Sequence, residues 1–259
     1  MHNKDLNDYF DAIFGTTEGH LCVAVGLKPY RDDNGKYKHG VFNQAAFEWP
    51  RQRAEALTYF EKTSQMGDAY LCPYLMREPK RHKGLAVSRV LVHADIDGGL
   101  DAQAVKELGG FMVESGTAGH GHVYVPLAWP VTPDQHELLC RGVAELLGGD
   151  HKYSDNDLLR PPGTLNYKSH VDGGEPSPVE VVWCAEGRVD PRELADMLGV
   201  DLANAAATTG APRQAKTDTT GAPVDLEKYP SITAALEDNS GDRSADTYRV
   251  VAVCHTAQG

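Results

Sequence analysis

Two aspartates stand two residues apart at the end of the string SRVLVHADID, Asp95 and Asp97. Side chains alternate along a strand, so Leu91, His93, Asp95 and Asp97 share one face and Val90, Val92, Ala94 and Ile96 the other. Two carboxylates so spaced can hold one divalent cation or a close pair, and hard oxygen donors suit Mg²⁺ or Mn²⁺. Two ions about 3.5–4 Å apart can activate an attacking oxygen and stabilise a leaving phosphate. The same pair also reads as a polar strand end running into the turn DGG. A second string, SGTAGHGHVYVPL (residues 115–127), places glycines at 116, 119 and 121. These let backbone amides approach an anion closely. His120 and His122 fall on one face, which in an antiparallel sheet can adjoin Asp95 and Asp97. Imidazoles there could bind phosphate or ligate a metal; a hairpin turn with two exposed histidines is the plain alternative.

The third string is DHKYSDNDLLRPPGTLNYKS, residues 150–169. It has neither a helical nor a strand period, and loops beyond about 12–15 residues are commonly functional. Arg160 and Lys168 flank its rigid PPG turn and could grip phosphates, Arg in bidentate fashion and Lys as a point charge. Upstream, Arg77, Lys80, Arg81 and Lys83 crowd the segment MREPKRHK. This is a local anion site or a solvated loop.

The elements that must hold these groups follow from pattern. DLNDYFDAIFG reads as a helix, HLCVAVGLK and KYKHGVFN as strands about DDNG, AEALTYFEKTSQMG as a helix and DAYLCPYLM as a strand. Then come strand SRVLVHADID, helix LDAQAVKELGG, strands FMVES and HVYVPLAW, helix TPDQHELLCRGVAELLGG, strand PVEVVWCAEG and helix PRELADMLG. Thr132 is the expected N-cap of the longest helix, with Pro133 in its first turn. From residue 89 the order is β-α-β-β-α-β, that of a ferredoxin-like or RRM-like unit, an antiparallel sheet with helices on one face. The expected fold is therefore α+β, with residues 89–200 as the RRM-like core and residues 1–88 as an N-terminal α/β part. Residues 201–224 hold TTGAP twice and read as a linker. Residues 225–259 begin a helical segment, with Ser240 or Asp242 as cap, and a further domain is expected beyond it.

The chain has 259 residues, 41% of them hydrophobic, enough for a real core and against wholesale disorder. No run approaches the roughly 18 apolar residues of a membrane span, and MHNKDLNDYF does not read as a signal peptide. The five cysteines stand apart with no CxxC pair, which argues against a disulfide framework and a zinc knuckle and for a reducing cytoplasm. The net charge of −12 speaks against a protein that coats duplex DNA. The charge is uneven, however: residues 1–99 carry 13 basic and 13 acidic groups, and residues 100–200 carry 7 and 16. Bound divalent ions reverse the local sign of a carboxylate cluster, so where the charges fall matters more than their total.

Taken in order, the three strings resemble the motifs of the archaeo-eukaryotic primase superfamily, in particular the primase–polymerase domains at the N-termini of phage and plasmid replication proteins. VLVHADID matches the family's hydrophobic lead into D-x-D. SGTAGHGHVYV matches its small-residue turn and strand histidine. Arg160, Pro162, Gly163, Thr164, Asn166 and Lys168 meet R-x-P-G-T-x-N-x-K in full. The resemblance covers about residues 20–190. It implies primer synthesis and extension on single-stranded DNA by two-metal nucleotidyl transfer, with NTPs or dNTPs as substrates. Asp95, Asp97 and Asp150 would ligate two Mg²⁺ or Mn²⁺ ions, with Asp155 and Asp157 as other candidates for the third acid. Ser115, His120, His122, Arg160 and Lys168 would bind the nucleotide, His120 standing where the family often has Ser. Position 157, usually Arg in these proteins, is Asp. Arg77, Lys80, Arg81 and Lys83 become candidate template or primer contacts, the fragment's DNA binding weak and salt-sensitive. A C-terminal helicase domain and the cytoplasm of a bacterial host are implied as setting. Two rivals share features: a non-catalytic RRM-like nucleic-acid-binding module, which needs open stacking aromatics such as Tyr124, and a metal-dependent hydrolase or nucleotidyl-sugar transferase using His93, His120 and His122.

Overall fold

A helix whose apolar residues recur at helical spacing opens the chain: α1 (Asn3–Phe14) buries Leu6, Tyr9, Phe10 and Ile13. It is followed by strands β1 (Gly19–Arg31) and β2 (Tyr37–Trp49), helix α2 (Arg53–Thr63) and strand β3 (Gly67–Leu71). These strands form an antiparallel sheet in the order β2-β1-β3. The computed structural model describes residues 3–150 and 152–205. Within these residues no helix is long and apolar enough to cross a membrane.

The second half holds β4 (Leu91–Asp97), α3 (Ala102–Glu107), β5 (Phe111–Glu114), β6 (His120–Pro126) and α4 (Pro133–Leu147). A small hairpin of β7 (Leu165–Asn166) and β8 (Ser177–Pro178) precedes β9 (Glu180–Val182) and α5 (Pro191–Leu198). Helix α4 starts where expected: the Thr132 hydroxyl accepts the Gln135 N–H while the Gln135 side chain accepts the Thr132 N–H, a reciprocal capping box. The sheet runs β4-β6-β5-β9, antiparallel throughout.

This order corrects one detail of the expected RRM-like core. The strand from PVEVVWCAEG has only three paired residues, and it joins the far edge of the sheet, beside β5 rather than β4. Each crossover straddles one strand: β4 lies parallel to β5 across β6, and β6 parallel to β9 across β5. Strand β4 is thereby left at an edge, and the free carbonyl of Asp95 there accepts the Asp150 N–H at 2.7 Å. The helices of this unit do share one face, as expected. Val92, Ala94, Ile96, Val123 and Val125 pack under Val105 of α3, Leu139 and Val143 of α4 and Leu194 of α5. The opposite face, with Leu91, Phe111 and Tyr124, packs against Tyr9 and Phe10 of α1 and residues of the first sheet.

The first residues of the expected linker touch α4. Residues 202–204 form a short 3₁₀ turn capped by Asp201, whose carboxylate accepts the Ala203 N–H, and Gln135 of α4 donates to the Leu202 carbonyl. The rest of the linker and the helical segment expected in 225–259 lie outside the described residues.

Tyr9 is fully buried and meets both Phe111 and Tyr124 edge-on, centroids 6.1 and 5.5 Å away. It fastens the N-terminal part to the second sheet. Tyr9→Ala is expected to lower stability by about 3 kcal/mol or more while keeping a single transition in urea unfolding followed by circular dichroism. A loss under about 1 kcal/mol would show that this aromatic seam does not hold the two sheets together.

Candidate active site

The register of β4 against β6 sets the site. Asp95 stands opposite His122 and Asp97 opposite His120. His122 Nδ1 lies 3.0 Å from Asp95 Oδ1, an ion-pair contact off the line of a good hydrogen bond. Its other nitrogen, Nε2, receives the Arg160 backbone N–H at 3.4 Å. With Nε2 accepting, a proton on Nδ1 faces the carboxylate. His120 Nδ1 lies 3.2 Å from Asp97 Oδ1, both groups open to solvent. Gly121, between the two histidines, has to be glycine, because a Cβ there would lie 2.5 Å from the Val113 carbonyl.

Asp95 is largely buried and its second oxygen bonds the Lys152 ammonium. Burial alone would raise its pKa, but the His122 imidazole and the Lys152 ammonium override that and hold the carboxyl well below its usual range. Lys152 also reaches Asp150, 3.8 Å away. Asp150 is thus tied to Asp95 twice, through its own N–H and through a shared lysine, and its carboxylate is half-exposed. The other two acids of that loop are engaged elsewhere. Asp155 is buried against the Arg89 guanidinium, whose Nε donates at 3.1 Å, and Asp157 faces His93 Nε2 at 3.2 Å. Position 157 therefore answers a histidine on the strand.

The string from Arg160 to Lys168 folds largely around itself. Gly163 sits at φ +76°, and its N–H donates to the Val179 carbonyl. The Thr164 hydroxyl donates to the Pro161 carbonyl, and the Asn166 side chain donates to the Ser115 carbonyl while accepting the Lys168 N–H. Ser115 in turn bonds the His120 carbonyl, through its N–H at 3.0 Å and its hydroxyl at 3.3 Å. The loop is so clasped to the turn before β6 that Arg160 comes to rest beside His122. Lys168 is exposed, with no side-chain partner among the described residues.

Arg160 is held by groups that carried no sequence signal. Its Nε and Nη2 both donate to Asp68 Oδ1, at 3.2 and 3.1 Å, and Nη2 donates to the Tyr70 hydroxyl at 3.0 Å. The guanidinium also lies over the Tyr70 ring, 5.0 Å from its centroid. Asp68 is fully buried and further accepts hydrogen bonds from Tyr37 and the Tyr167 N–H, with His39 Nε2 2.8 Å away. Burial opposes its ionisation, and His39, Arg160 and Tyr37 together still draw its pKa below the usual carboxylate value. Lys152 was equally unmarked, a single lysine two positions after Asp150.

The basic run lies on a loop closed by the bridge between Met76 and Ala86. Lys80 pairs with Glu78, Lys83 with Glu137, and Arg81 bonds Gln44 and the Asn156 carbonyl. Arg77 is exposed with no side-chain partner among the described residues. None of the four is brought to the Asp95–His122 pair. Two features of the rival readings fall away. Tyr124 is fully buried against Tyr9 and Phe111 and offers no stacking surface. His93, also fully buried, faces Tyr74 and Asp157 rather than an open site with His120 and His122.

Three solved structures similar in fold to this chain are primase domains. The AEP (archaeo-eukaryotic primase) domain of the cyanophage S-2L primase–polymerase matches with a TM-score of 0.52 at 16% identity, covering 75% of this chain and 97% of that one. Primase RepB′ matches at 0.54 with 13% identity, over 97% of this chain and 93% of that one. The catalytic domain of RepB′ in complex with initiator DNA matches at 0.51 with 16% identity, over 83% and 98%. The chain has the fold of the archaeo-eukaryotic primase domains. No protein-family model matches the sequence, and no curated protein does.

Asp68 gives the site a pH signature. Its folded pKa is depressed, so the stability it adds is fully present above the ordinary carboxylate pKa near 4 and is lost as pH falls through the lower folded value. Asp68→Asn leaves buried Arg160 without its counter-charge and is expected to cost about 3 kcal/mol or more at pH 7. The gap between wild type and variant, read from urea melts, should hold constant above about pH 5 and shrink below about pH 4. A gap independent of pH would mean that Asp68 is not ionised in the folded protein.

Proposed function

We propose that the chain is a template-directed nucleotidyltransferase that synthesises primers and extends them on single-stranded DNA in phage or plasmid replication. The observation that carries this reading is the cross-strand pairing of Asp95 with His122 at the edge of the sheet, with Asp150 tied to the same carboxylate through its N–H and Lys152. Its support is the placement of these groups on a primase fold, together with the Arg160 loop clasped beside His122.

Asp95, Asp97 and Asp150 offer hard carboxylate oxygens of the kind Mg²⁺ or Mn²⁺ takes, although the three do not converge within 4.8 Å of one another, and the Lys152 ammonium supplies positive charge between two of them. When bound, two such ions would lower the pKa of an attacking 3′-hydroxyl and neutralise a leaving pyrophosphate. The residues of the chain do the rest by positioning and charge. His122, fixed between Asp95 and the Arg160 N–H, would contact the incoming triphosphate, with His120 and the Ser115 turn beside it. Arg160 has Nε and Nη2 held by Asp68, which leaves Nη1 for a phosphate oxygen and removes the entropic cost of ordering the side chain. Lys152 and the exposed Lys168 would add charge toward the phosphates. The template and primer would reach the site across the loop of Arg77, Lys80, Arg81 and Lys83, with the ion pairs of Lys80 and Lys83 exchanged for DNA phosphates. A helicase further along the full protein and the bacterial cytoplasm would complete the setting.

Asp95→Ala combined with Asp97→Ala is expected to reduce both dinucleotide synthesis and primer extension by about a thousandfold or more, the equivalent of several kcal/mol of lost charge stabilisation. The assay uses labelled nucleotides on single-stranded template with Mn²⁺, with and without a primer. Wild-type activity in the folded double variant would overturn the site. His122→Ala should raise the nucleotide KM about tenfold or more while DNA affinity, read by fluorescence anisotropy, stays within about twofold. Unchanged nucleotide kinetics would remove His122 from the triphosphate.

A further inference from the structure

Away from the carboxylates lies a buried cluster that nucleotidyl transfer does not use: His93 on β4, His136 and Cys140 on α4, and Tyr74 on the segment after β3. All four are essentially inaccessible to solvent. His136 and Cys140 are four residues apart and therefore project from one face of the helix. One donor atom each from His93, His136 and Cys140 lies within 4.8 Å of the other two, the only such group of three or more metal-ligating side chains among the described residues. His136 Nε2 is 3.4 Å from Cys140 Sγ and His93 Nδ1 is 3.8 Å from it. Tetrahedral zinc, with Zn–S about 2.3 Å and Zn–N about 2.0–2.1 Å, requires N···S separations near ~3.5 Å.

We propose that His93, His136 and Cys140, with the Tyr74 hydroxyl as fourth donor, form a closed structural zinc site that ties helix α4 to the strand carrying Asp95.

The Tyr74 oxygen closes the cluster, 2.7 Å from both His93 Nδ1 and His136 Nε2 and 3.2 Å from the Leu91 carbonyl. The outer contacts fit as well. His93 Nε2 faces Asp157 Oδ2 at 3.2 Å, and Asp157 accepts the Ser154 N–H at 2.9 Å. A carboxylate on the far nitrogen fixes the tautomer whose near nitrogen is free to ligate. A surface cleft of about 280 Å³ has His136, Glu137, Tyr153 and Asp155 in its wall, so the cluster lies just beneath it.

The test is made on the whole chain, purified from zinc-supplemented culture and dialysed against a mild chelator that strips exposed carboxylate sites. Elemental analysis is expected to find about one zinc per chain. The Asp95→Ala, Asp97→Ala double variant should retain that zinc, and Cys140→Ala and His136→Ala should lose it. Cobalt exchanged into the wild-type protein should show tetrahedral d–d bands and a thiolate-to-cobalt charge-transfer band, a readout that holds even if the cluster variants fail to fold. Prolonged strong chelation should lower the melting temperature of the wild type, and zinc should restore it. Zinc near zero in the wild type with no thiolate–cobalt band would overturn the site, as would full zinc content in folded Cys140→Ala. Either result would leave the assignment of Asp95 and His122 standing, since that depends on nucleotide kinetics.

Discussion

The register between β4 and β6 is the constraint on which the rest depends. Side chains on a strand have a period of two, so a slip of one residue would carry Asp95 and His122 to opposite faces. The register is held by burial. Val92, Ala94 and Ile96 on one strand, with Val123 and Val125 on the other, have to lie under α4 and α5, which fixes the alternate residues on the opposite face. That face is sealed at one end by Tyr9, Phe111 and Tyr124 and is open at the other, where the aspartates and histidines emerge. Close approach adds a second lock: only glycine at 121 lets β6 sit between β4 and β5 at this spacing.

Concentrating acids at the mouth of a strand has an electrostatic cost, and the structure offsets it locally. Asp95 is desolvated, and an isolated buried carboxylate would neutralise rather than stay charged. His122 and Lys152 keep it ionised. Asp68, still more buried, is kept ionised by His39, Arg160 and Tyr37. The net charge of −12 is therefore a poor guide to what the site attracts. Its cations are few but placed at the ends of rigid contacts, while most of the surplus acid lies elsewhere on residues 100–200.

Much of this was legible in the sequence because it is local. The alternation of VLVHADID, the helical spacing of TPDQHELLCRGVAELL with its Thr132–Gln135 box, and the turn chemistry of PPGT each fix their own structure within a few residues. What stayed hidden depends on pairing across long separations. The strand of Glu180–Val182 has too few residues to announce which edge it joins, and its choice of β5 leaves β4 exposed at one side. Asp68 gives no signal beside Gly67 at a strand start, yet it lies 92 residues from the arginine it holds. Lys152 has a role only because the Asp150 N–H folds back onto the Asp95 carbonyl. The string R-x-P-G-T-x-N-x-K was the clearest marker in the chain, and most of its residues build the loop that sets the Arg160 N–H against His122.

On the proposed reading, this contact explains why an arginine that takes phosphate would also be held against an aspartate. A free guanidinium on a loop would attract phosphate more strongly in the Coulomb sense, but it would have to be ordered and desolvated at each encounter. Asp68 and Tyr70 hold the group flat and aimed, with two of its three nitrogens satisfied. The charge offered to a ligand is partly cancelled, and what is gained is direction, since the remaining Nη1 is the one donor not spent on the protein. A site built on positioned, partly neutralised charges favours a ligand that brings its own cations, as a metal-complexed triphosphate does, over free phosphate. The bare polyanion would face Asp95, Asp97 and Asp150 uncompensated.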